Sequence, residues 1–159
     1  MRTMFQRLLK IAILASPALV LVSANALAAD CPADKVGTVT KPGATAPSGL
    51  TDEVIASIDL SPIGRGFAGY KMRMRKLTIK PGGVVPWHSH GARPANIYII
   101  SGSITEYRST CAVPIEHKAG DVTEEFGALS HWWKNNTRQT VVLISADVLA
   151  PDMKPSESM

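Results

Sequence analysis

The sequence predicts an all-β fold, either a barrel or a sandwich, from two observations. After residue 50 the chain is a series of short runs of β-forming residues, such as 54–60, 70–79 and 96–101, separated by turn residues. The same region shows no helical repeat of apolar residues. Many short strands at close spacing, with Gly and Pro in the turns, are typical of sandwiches and barrels.

Individual runs carry more specific signals. Residues 70–79 alternate polar and apolar side chains, but the apolar set changes parity at 75–76, which predicts a β-bulge. Lys80-Pro81-Gly82-Gly83 predicts a turn before a strand at 84–90. Ser101-Gly102-Ser103 predicts the turn of a hairpin. Further strands are predicted at 103–108, 113–117, 121–125, 131–134 and 141–148.

The first 28 residues have the pattern of a cleaved secretory signal. A basic start precedes an apolar run at 11–22 and small residues, with the cut after Ala28 and a cut after Ala26 as the alternative. An uncleaved membrane anchor is the other interpretation. The chain has 17 Lys+Arg and 13 Asp+Glu, and removal of three basic residues lowers the net charge from +4 to +1. We therefore expect a periplasmic or secreted protein without a nucleic-acid partner and, once cleaved, without a membrane partner.

The remainder of the chain divides into three segments. Residues 29–50 are rich in Pro, Gly, Ala and Thr, which predicts an extended amino-terminal arm along the domain surface. Residues 51–150 are predicted to form one folded domain, a length sufficient for a modest core. Residues 151–159 are polar and are predicted to be a disordered tail.

The chain has two cysteines, Cys31 and Cys111. In an oxidising compartment two cysteines are more often paired than free. We predict a disulfide that ties the arm to the loop after Arg108, and closing so long a loop would stabilise the fold by about 4 kcal/mol. The alternative is a pair of thiols that lie too far apart to bridge.

Three of the four histidines are candidate metal ligands. His88 and His90 lie two residues apart in a predicted strand, so their imidazoles project from the same face. His131 begins another predicted strand. Imidazole is a common ligand for zinc, iron, copper and nickel, although an isolated His-x-His pair can equally be a hydrogen-bonded part of a core. The fourth histidine, His117, is predicted to lie on the surface.

The stretches around these histidines resemble the two motifs of the cupin family. Residues 83–102 read GVVPWHSHGARPANIYIISG, with a glycine before the His-x-His pair and another that closes the next strand. Residues 120–135 read GDVTEEFGALSHWWKN, with a glycine, a single histidine and an asparagine. The resemblance covers roughly 77–148 and implies a cupin jelly-roll barrel, also called a double-stranded β-helix. It further implies that the metal ligands are His88, His90 and His131, which would hold one divalent Fe, Mn, Zn, Ni or Cu ion.

Two departures from the cupin motifs bear on the metal. The usual glutamate position falls on Ala95, which offers no carboxylate. Three glutamates could substitute, although each is more simply interpreted as a solvated surface charge: Glu106, Glu124 and Glu125. The proline and glycine expected before the single histidine are replaced by Phe126 and Ala128. A neutral three-histidine site still favours late first-row metals over magnesium or calcium.

Four side chains near the histidines are predicted to line a substrate pocket: Trp87, Arg93, Tyr98 and Trp133. The aromatic rings could wall an apolar cavity, or simply pack within the barrel. The planar guanidinium of Arg93 could bind a carboxylate, and a solvated loop arginine is the alternative.

Two functions remain open from the sequence, and catalytic residues are not assigned. The first is a metal-dependent oxidoreductase of the dioxygenase type, acting on a small phenol or thiol. The second is a non-catalytic module that binds a small ligand such as a sugar or an aromatic acid. The histidines could also be a structural relic.

The resemblance implies pairing of two copies through their sheets, hence a homodimer. The sequence has no phosphate-binding loop, dinucleotide fingerprint or Gly-x-Ser-x-Gly motif.

Overall fold

A computed structural model describes residues 30–38 and 43–153 of the chain. This part is mostly β-structure with three short 3-10 turns, which confirms the predicted all-β class. No helix in the described ranges is long and apolar enough to cross a membrane. The predicted signal at 1–28 and the last six residues of the predicted tail lie outside the described residues.

The strands are β1 (Ser48–Asp59), β2 (Lys71–Ser89), β3 (Ala95–Ser101), β4 (Ser103–Arg108), β5 (Ile115–Lys118), β6 (Val122–Glu125), β7 (Ser130–Lys134) and β8 (Val141–Leu149).

The eight strands form one antiparallel sheet. Its order is β5-β4-β7-β2-β8-β3-β6, and β1 pairs with β2 outside this path. Strand β5 lies at one end of the path but contacts β3, which is next to the other end, so the sheet curls on itself. This curl turns one face of strands β2 to β8 toward a common interior, whereas β1 has no buried residue.

Strand β2 is a single bent strand of 19 residues, whereas the sequence predicted two strands and a turn. Its first half pairs with β8 and its second half with β7. The change of partner occurs around Pro81-Gly82-Gly83, where Gly82 has a positive φ of 74° that a residue with a side chain rarely adopts. Backbone hydrogen bonds of 2.9 Å join Gly82 and Gly83 to Asn135 and keep this corner attached to β7.

The bulge predicted within β2 at 75–76 is absent from its pairing with β8, where the register runs from Lys71 to Ile79 without a shift. A register shift near this point occurs instead in the pairing of β2 with β1, and it lies in β1 between Val54 and Ala56. The apolar set of β2 changes parity for another reason. Arg73 and Arg75 face inward on the same side as Leu77, while Met72 and Met74 face outward and are exposed.

The interior has an apolar part and a polar part. Ten buried hydrophobic side chains form one cluster: Leu77, Ile79, Val85, Ala95, Ile97, Ile99, Ile104, Trp133, Val141 and Leu143. Burial of such side chains is the main favourable term for the fold. Buried polar and charged side chains fill the rest, and they include three of the four histidines: His90, His117 and His131.

The amino-terminal arm is attached to the loop after β4. The structure contains the predicted disulfide between Cys31 and Cys111, whose Cα atoms lie 5.7 Å apart. Backbone hydrogen bonds of 3.1 and 2.9 Å join Gly37 to Thr110 and Ala112 to Lys35. These contacts hold residues 31–37 of the arm against the loop after β4.

Candidate metal centre

The pairing of β2 with β7 brings the three candidate histidines together. His88 lies directly opposite His131 in this pair. His90 follows the end of β2, and its backbone N–H donates to the carbonyl of Leu129 at 2.8 Å. The Nε2 atom of His88 lies 3.0 Å from that of His90 and 3.1 Å from that of His131. Three ring nitrogens from two strands therefore converge on one point.

Each of these rings is oriented through its other nitrogen. Nδ1 of His88 lies 2.8 Å from the carbonyl of Pro86, and Nδ1 of His90 lies 2.8 Å from the carbonyl of Arg93. Nδ1 of His131 lies 2.5 Å from the carboxylate of Glu106. Carbonyl and carboxylate oxygens only accept, so the Nδ1 atoms of His88 and His90 carry the proton and donate it. Nδ1 of His131 also lies 3.1 Å from the indole N–H of Trp133, which can only donate. The Glu106 carboxylate is the nearer and the charged partner, so this nitrogen too keeps its proton. In the neutral rings every Nε2 then presents a lone pair to the same point.

A carboxylate completes the group, and it comes from a residue that the sequence analysis interpreted as a surface charge. Glu125 is buried in β6, and one of its oxygens lies 2.9 Å from Nε2 of His90. Its partner across the β3–β6 pair is Ala95, the position where the cupin motif usually has glutamate. Residues directly opposite in an antiparallel pair point to the same face. The carboxylate missing from β3 is thus supplied by the neighbouring strand, beside a small side chain.

These four side chains fit a transition metal. One ligand atom from each of His88, His90, Glu125 and His131 can be chosen so that all four lie within 4.8 Å of one another. Two nitrogens bound at about 2.1 Å from one ion, at right angles, lie about 3 Å apart, which matches the Nε2 separations. Three imidazoles and one carboxylate suit Fe, Mn, Zn, Ni or Cu better than magnesium or calcium.

Burial sets the protonation of the group in the absence of an ion. It lowers the pKa of His88 to about 2, with nearby His131 adding to the effect, and it lowers the pKa of His90 to about 4, with help from Arg93. Burial raises the pKa of Glu125 to about 7. His88 and His90 are therefore neutral near pH 7 and ready to bind a cation, while Glu125 exchanges a proton in the same range.

Glu106 and His117 are buried behind His131, contrary to the surface positions predicted for both. The Glu106 carboxylate accepts from Nε2 of His117 at 2.7 Å and from Nε of Arg108 at 2.6 Å, besides Nδ1 of His131. Burial opposes ionisation of Glu106, but the hydrogen bonds from His117 and His131 outweigh it and hold its pKa well below the usual range. Glu106 therefore orients His131 as an ionised acceptor. Glu124 is exposed, as expected.

A small cavity adjoins the histidines. It is lined by His88, His90 and Glu125, and also by two of the four predicted pocket residues, Arg93 and Trp133. The other two lie elsewhere: Tyr98 is exposed on the outer face of β3, and Trp87 is outside the cavity lining. The cavity has a volume of about 20 Å³, slightly more than one water molecule requires.

Arg93 is buried, so the alternative of a solvated loop arginine is wrong. Its guanidinium donates to Asp147 at 2.8 Å, and this ion pair replaces the water that a loop position would have offered. Hydrogen bonds from Arg73 and Arg93 hold the pKa of Asp147 below its usual range although burial opposes this.

Solved structures share this fold at low sequence identity. A predicted oxalate decarboxylase from Thermotoga maritima is 15% identical, with a TM-score of 0.53, over 76% of this chain and 99% of that one. An uncharacterized conserved protein with a double-stranded β-helix domain from Klebsiella pneumoniae is 17% identical, with a TM-score of 0.51, over 67% and 83%. A Cupin_2 domain of an XRE family transcriptional regulator from Enterobacter cloacae is 10% identical, with a TM-score of 0.47, over 63% and 96%.

No family model matches the sequence, and no curated protein matches it. The structural likenesses show the fold, which is the double-stranded β-helix that the two motifs predicted.

Proposed function

We propose that this chain, which has the cupin fold, is an exported protein that binds one divalent transition metal and acts on a small molecule in the adjoining cavity. The ligands would be His88, His90, His131 and Glu125. The observation that carries the proposal is the convergence of three Nε2 lone pairs while every Nδ1 is occupied by an acceptor. Lone pairs about 3 Å apart repel each other unless a cation lies between them.

Four protein ligands leave at least one coordination position open when the metal is five- or six-coordinate. The cavity is the natural access to that position because His88, His90 and Glu125 line it. A bound metal would supply Lewis acidity or a site for dioxygen. An oxidoreductase of the dioxygenase type is the activity to be tested first.

The chain's own residues would prepare this site in two ways. Glu106 holds the His131 ring in the tautomer that presents Nε2 to the ion, and His117 and Arg108 hold Glu106 in turn. Trp133 and the aliphatic side chains of the cavity wall limit the access of water. Export is supported by the signal pattern at the amino terminus and by the disulfide, since such bridges persist in oxidising compartments.

Metal content of the exported form tests the proposal. The full chain would be expressed, purified from the periplasm without a histidine tag, and analysed by mass spectrometry for metals and for the amino terminus. We expect about one transition-metal ion per chain and an amino terminus at Ala29. His88→Ala should lose the metal, and Glu125→Gln should weaken its binding. Glu124→Gln is the matched control, because this neighbour is exposed, and it should bind metal like the wild type.

Oxygen uptake with a panel of small phenols and thiols then separates an enzyme from a binding module. Turnover that is lost in His88→Ala supports the enzyme. Stoichiometric metal without turnover supports the non-catalytic alternative. Absence of stoichiometric metal, together with an unaltered His88→Ala variant, would refute the proposal and leave the histidines as structural residues.

A further inference from the structure

The outer side of the curled sheet has a polar region and an apolar region. Strands β4, β5 and β7 direct mostly polar side chains outward, such as Thr105, Glu116 and Lys134. The other region consists of β1, the first half of β2, β8, β3 and β6, which are neighbours in that order. We call its outward side the apolar outer face. Six large apolar side chains on it are between 41% and 54% exposed: Ile58, Met72, Met74, Tyr98, Ile100 and Val122.

The size of this face is that of a protein interface. Strand β8 lies in its middle and directs only apolar side chains outward: Val142, Ile144, Ala146 and Val148. Large apolar side chains have roughly 200 Å² of surface, so the six exposed ones together present on the order of 600 Å² to water. The largest apolar patch of a typical monomer is about 300–600 Å², and a stable interface buries about 800 Å² on each partner.

The described part of the chain leaves this face open. The amino-terminal arm lies on the polar region instead, where Gly43 is directly against the indole of Trp132. The carbonyl of Ala44 accepts there from the backbone N–H of Trp87 at 2.8 Å. An antiparallel sheet that covers a core on one side normally has polar residues on the other. An open apolar outer face therefore calls for another molecule.

Two adjoining grooves cross the apolar outer face. One has a volume of about 220 Å³ and is bordered by Ala56 of β1. The other has a volume of about 350 Å³ and is bordered by Glu124 and Phe126 at the end of β6. Met72 and Ala146 line both, so the grooves are continuous. A cavity of about 150 Å³ holds a benzene molecule, so each groove has room for an aromatic side chain.

Phe126 protrudes beside these grooves. It is 73% exposed, more than any other large apolar side chain in the described ranges. The cupin motif has proline at this position, so the fold does not require a phenylalanine here. An interface around a twofold axis needs one surface that carries both a protruding and a receiving part. Phe126 and the grooves meet this requirement on a single face, which favours a second copy of the chain over a different protein.

We propose that two copies of this chain pair through their apolar outer faces, with Phe126 of each copy in a groove of the other. The resemblance to cupins implies pairing only in general terms, whereas Phe126 departs from the cupin motif and makes this contact a property of this chain. The inference is independent of the proposed function, because every residue that carries it points away from the metal ligands.

Sedimentation of the full exported chain, purified without a tag, tests the pairing. We expect a dimer at about 50 µM that dissociates on dilution. Phe126→Ala should raise the dissociation constant of the dimer by about tenfold or more, because aromatic side chains in partner pockets carry much of the binding energy. Met74→Glu should give a monomer at the same concentration, since it buries a charge opposite Ala146 in the middle of the face.

Two control variants match these changes away from the face. Val36→Ala also shortens an exposed apolar side chain, in the arm, where Val36 is 67% exposed. Ala112→Glu also adds a negative charge, at an exposed position in the loop after β4. Both should dimerise like the wild type. Melting temperatures of all four variants would show that each is folded, which is expected because all four side chains are exposed.

The outcomes separate the surface from its anchor. A wild type that is monomeric at about 100 µM, or a dimer that both Phe126→Ala and Met74→Glu leave intact, would overturn the proposal. A dimer that is lost in Met74→Glu but unchanged in Phe126→Ala would overturn the role of Phe126 and support the face. Metal content of Met74→Glu should equal that of the wild type in every case, so failure of the proposed function is seen separately.

Oxidation of Met72 and Met74 by hydrogen peroxide locates the covered surface directly. Peptide mass spectrometry would follow both sulfoxides at protein concentrations above and below the dissociation constant. We expect slow oxidation in the dimer and faster oxidation on dilution, because both side chains are exposed in the single chain. Slow oxidation in a monomer would mean that another segment of the chain covers the face, and it would overturn the pairing.

Discussion

Where β2 pairs with β8, each strand points four side chains into the interior, and the two ends of this paired region differ in chemistry. At one end, Leu77 and Ile79 of β2 pair with Leu143 and Val141 of β8. At the other end, Arg73 and Arg75 pair with Asp147 and Ser145. The register aligns apolar side chains with apolar ones and places the arginines opposite a polar or an acidic side chain. The interior thus has an apolar half and a charged half that share the same strands.

The two halves contribute differently to the free energy of folding. Each aliphatic side chain of the apolar half stabilises the fold by transfer from water. The charged half loses hydration, and ion pairs recover this only when geometry is good, so apolar side chains of similar volume would often be as stable or more stable. Charges retained in such a place point to a functional role, which is consistent with the proposed metal site beside them.

The largest effect is expected at Asp147, which holds the charged half together. Its carboxylate is fully buried and receives hydrogen bonds from three arginines. Asp147→Asn should lower the free energy of unfolding by about 3–5 kcal/mol, because it leaves buried guanidinium groups without their counter-ion. Urea denaturation measures this change.

Asp34→Asn provides the control, since Asp34 forms an exposed ion pair with Lys35. Exposed pairs contribute little to stability, so this variant should unfold like the wild type. A loss at Asp147 no greater than that at Asp34 would show that the charged half does not depend on Asp147.

A smaller effect is expected at Glu106, on metal binding. Glu106→Ala removes the acceptor that orients His131 and should weaken metal affinity by about 10- to 100-fold. Glu106→Gln should lose less, because its carbonyl oxygen can still accept from Nδ1 of His131. A competition titration with a chromophoric chelator gives these affinities.

Ile79→Val is the counterpart in the apolar half. It deletes one buried methyl group and should cost about 0.5–1.5 kcal/mol of stability with no change in metal affinity. If Ile79→Val weakened metal binding as much as Glu106→Ala, the loss at Glu106 would report general destabilisation, and the division into two halves would not hold for function.

The fold was predictable from the sequence because its signals are local. Alternating side chains and Gly-rich turns indicate strands over a few residues, and the spacing of His88 and His90 places both rings on one face regardless of the rest of the chain. Even the error at β2 had a local origin. Arg73 and Arg75 occupy inward positions where apolar residues were expected. The apolar positions therefore change parity along β2 although the strand has no bulge in its pairing with β8.

The charged residues of the site could not be placed in this way. Whether Glu124 or Glu125 faces inward depends on the register of β6 against β3, which is a contact between distant segments. Once Ala95 is known to face inward, its partner Glu125 must as well. Glu106 and His117 were expected at the surface, and a solvated position was the alternative for Arg93, because charged residues are seldom buried without a partner. Their partners come from distant strands, as Asp147 does for Arg93.

The smallest expected effect is the release of about one proton from Glu125 when a metal ion binds. This release distinguishes Glu125 from the histidines as a ligand. Burial raises the pKa of Glu125 to about 7 and lowers those of His88 and His90. At pH 6 the two histidines are already neutral, whereas Glu125 is mostly protonated and must release its proton to bind a cation.

Binding of Mn²⁺ at pH 6 should therefore release about one proton more in the wild type than in Glu125→Gln. At pH 8.5 the two proteins should release the same number, since Glu125 is then ionised before the ion arrives. Calorimetry in buffers of different ionisation enthalpy counts these protons. A difference that persists unchanged at pH 8.5, or that is missing at pH 6, would mean that the carboxylate across from Ala95 does not bind the metal, and the ion would then be held by the histidines alone.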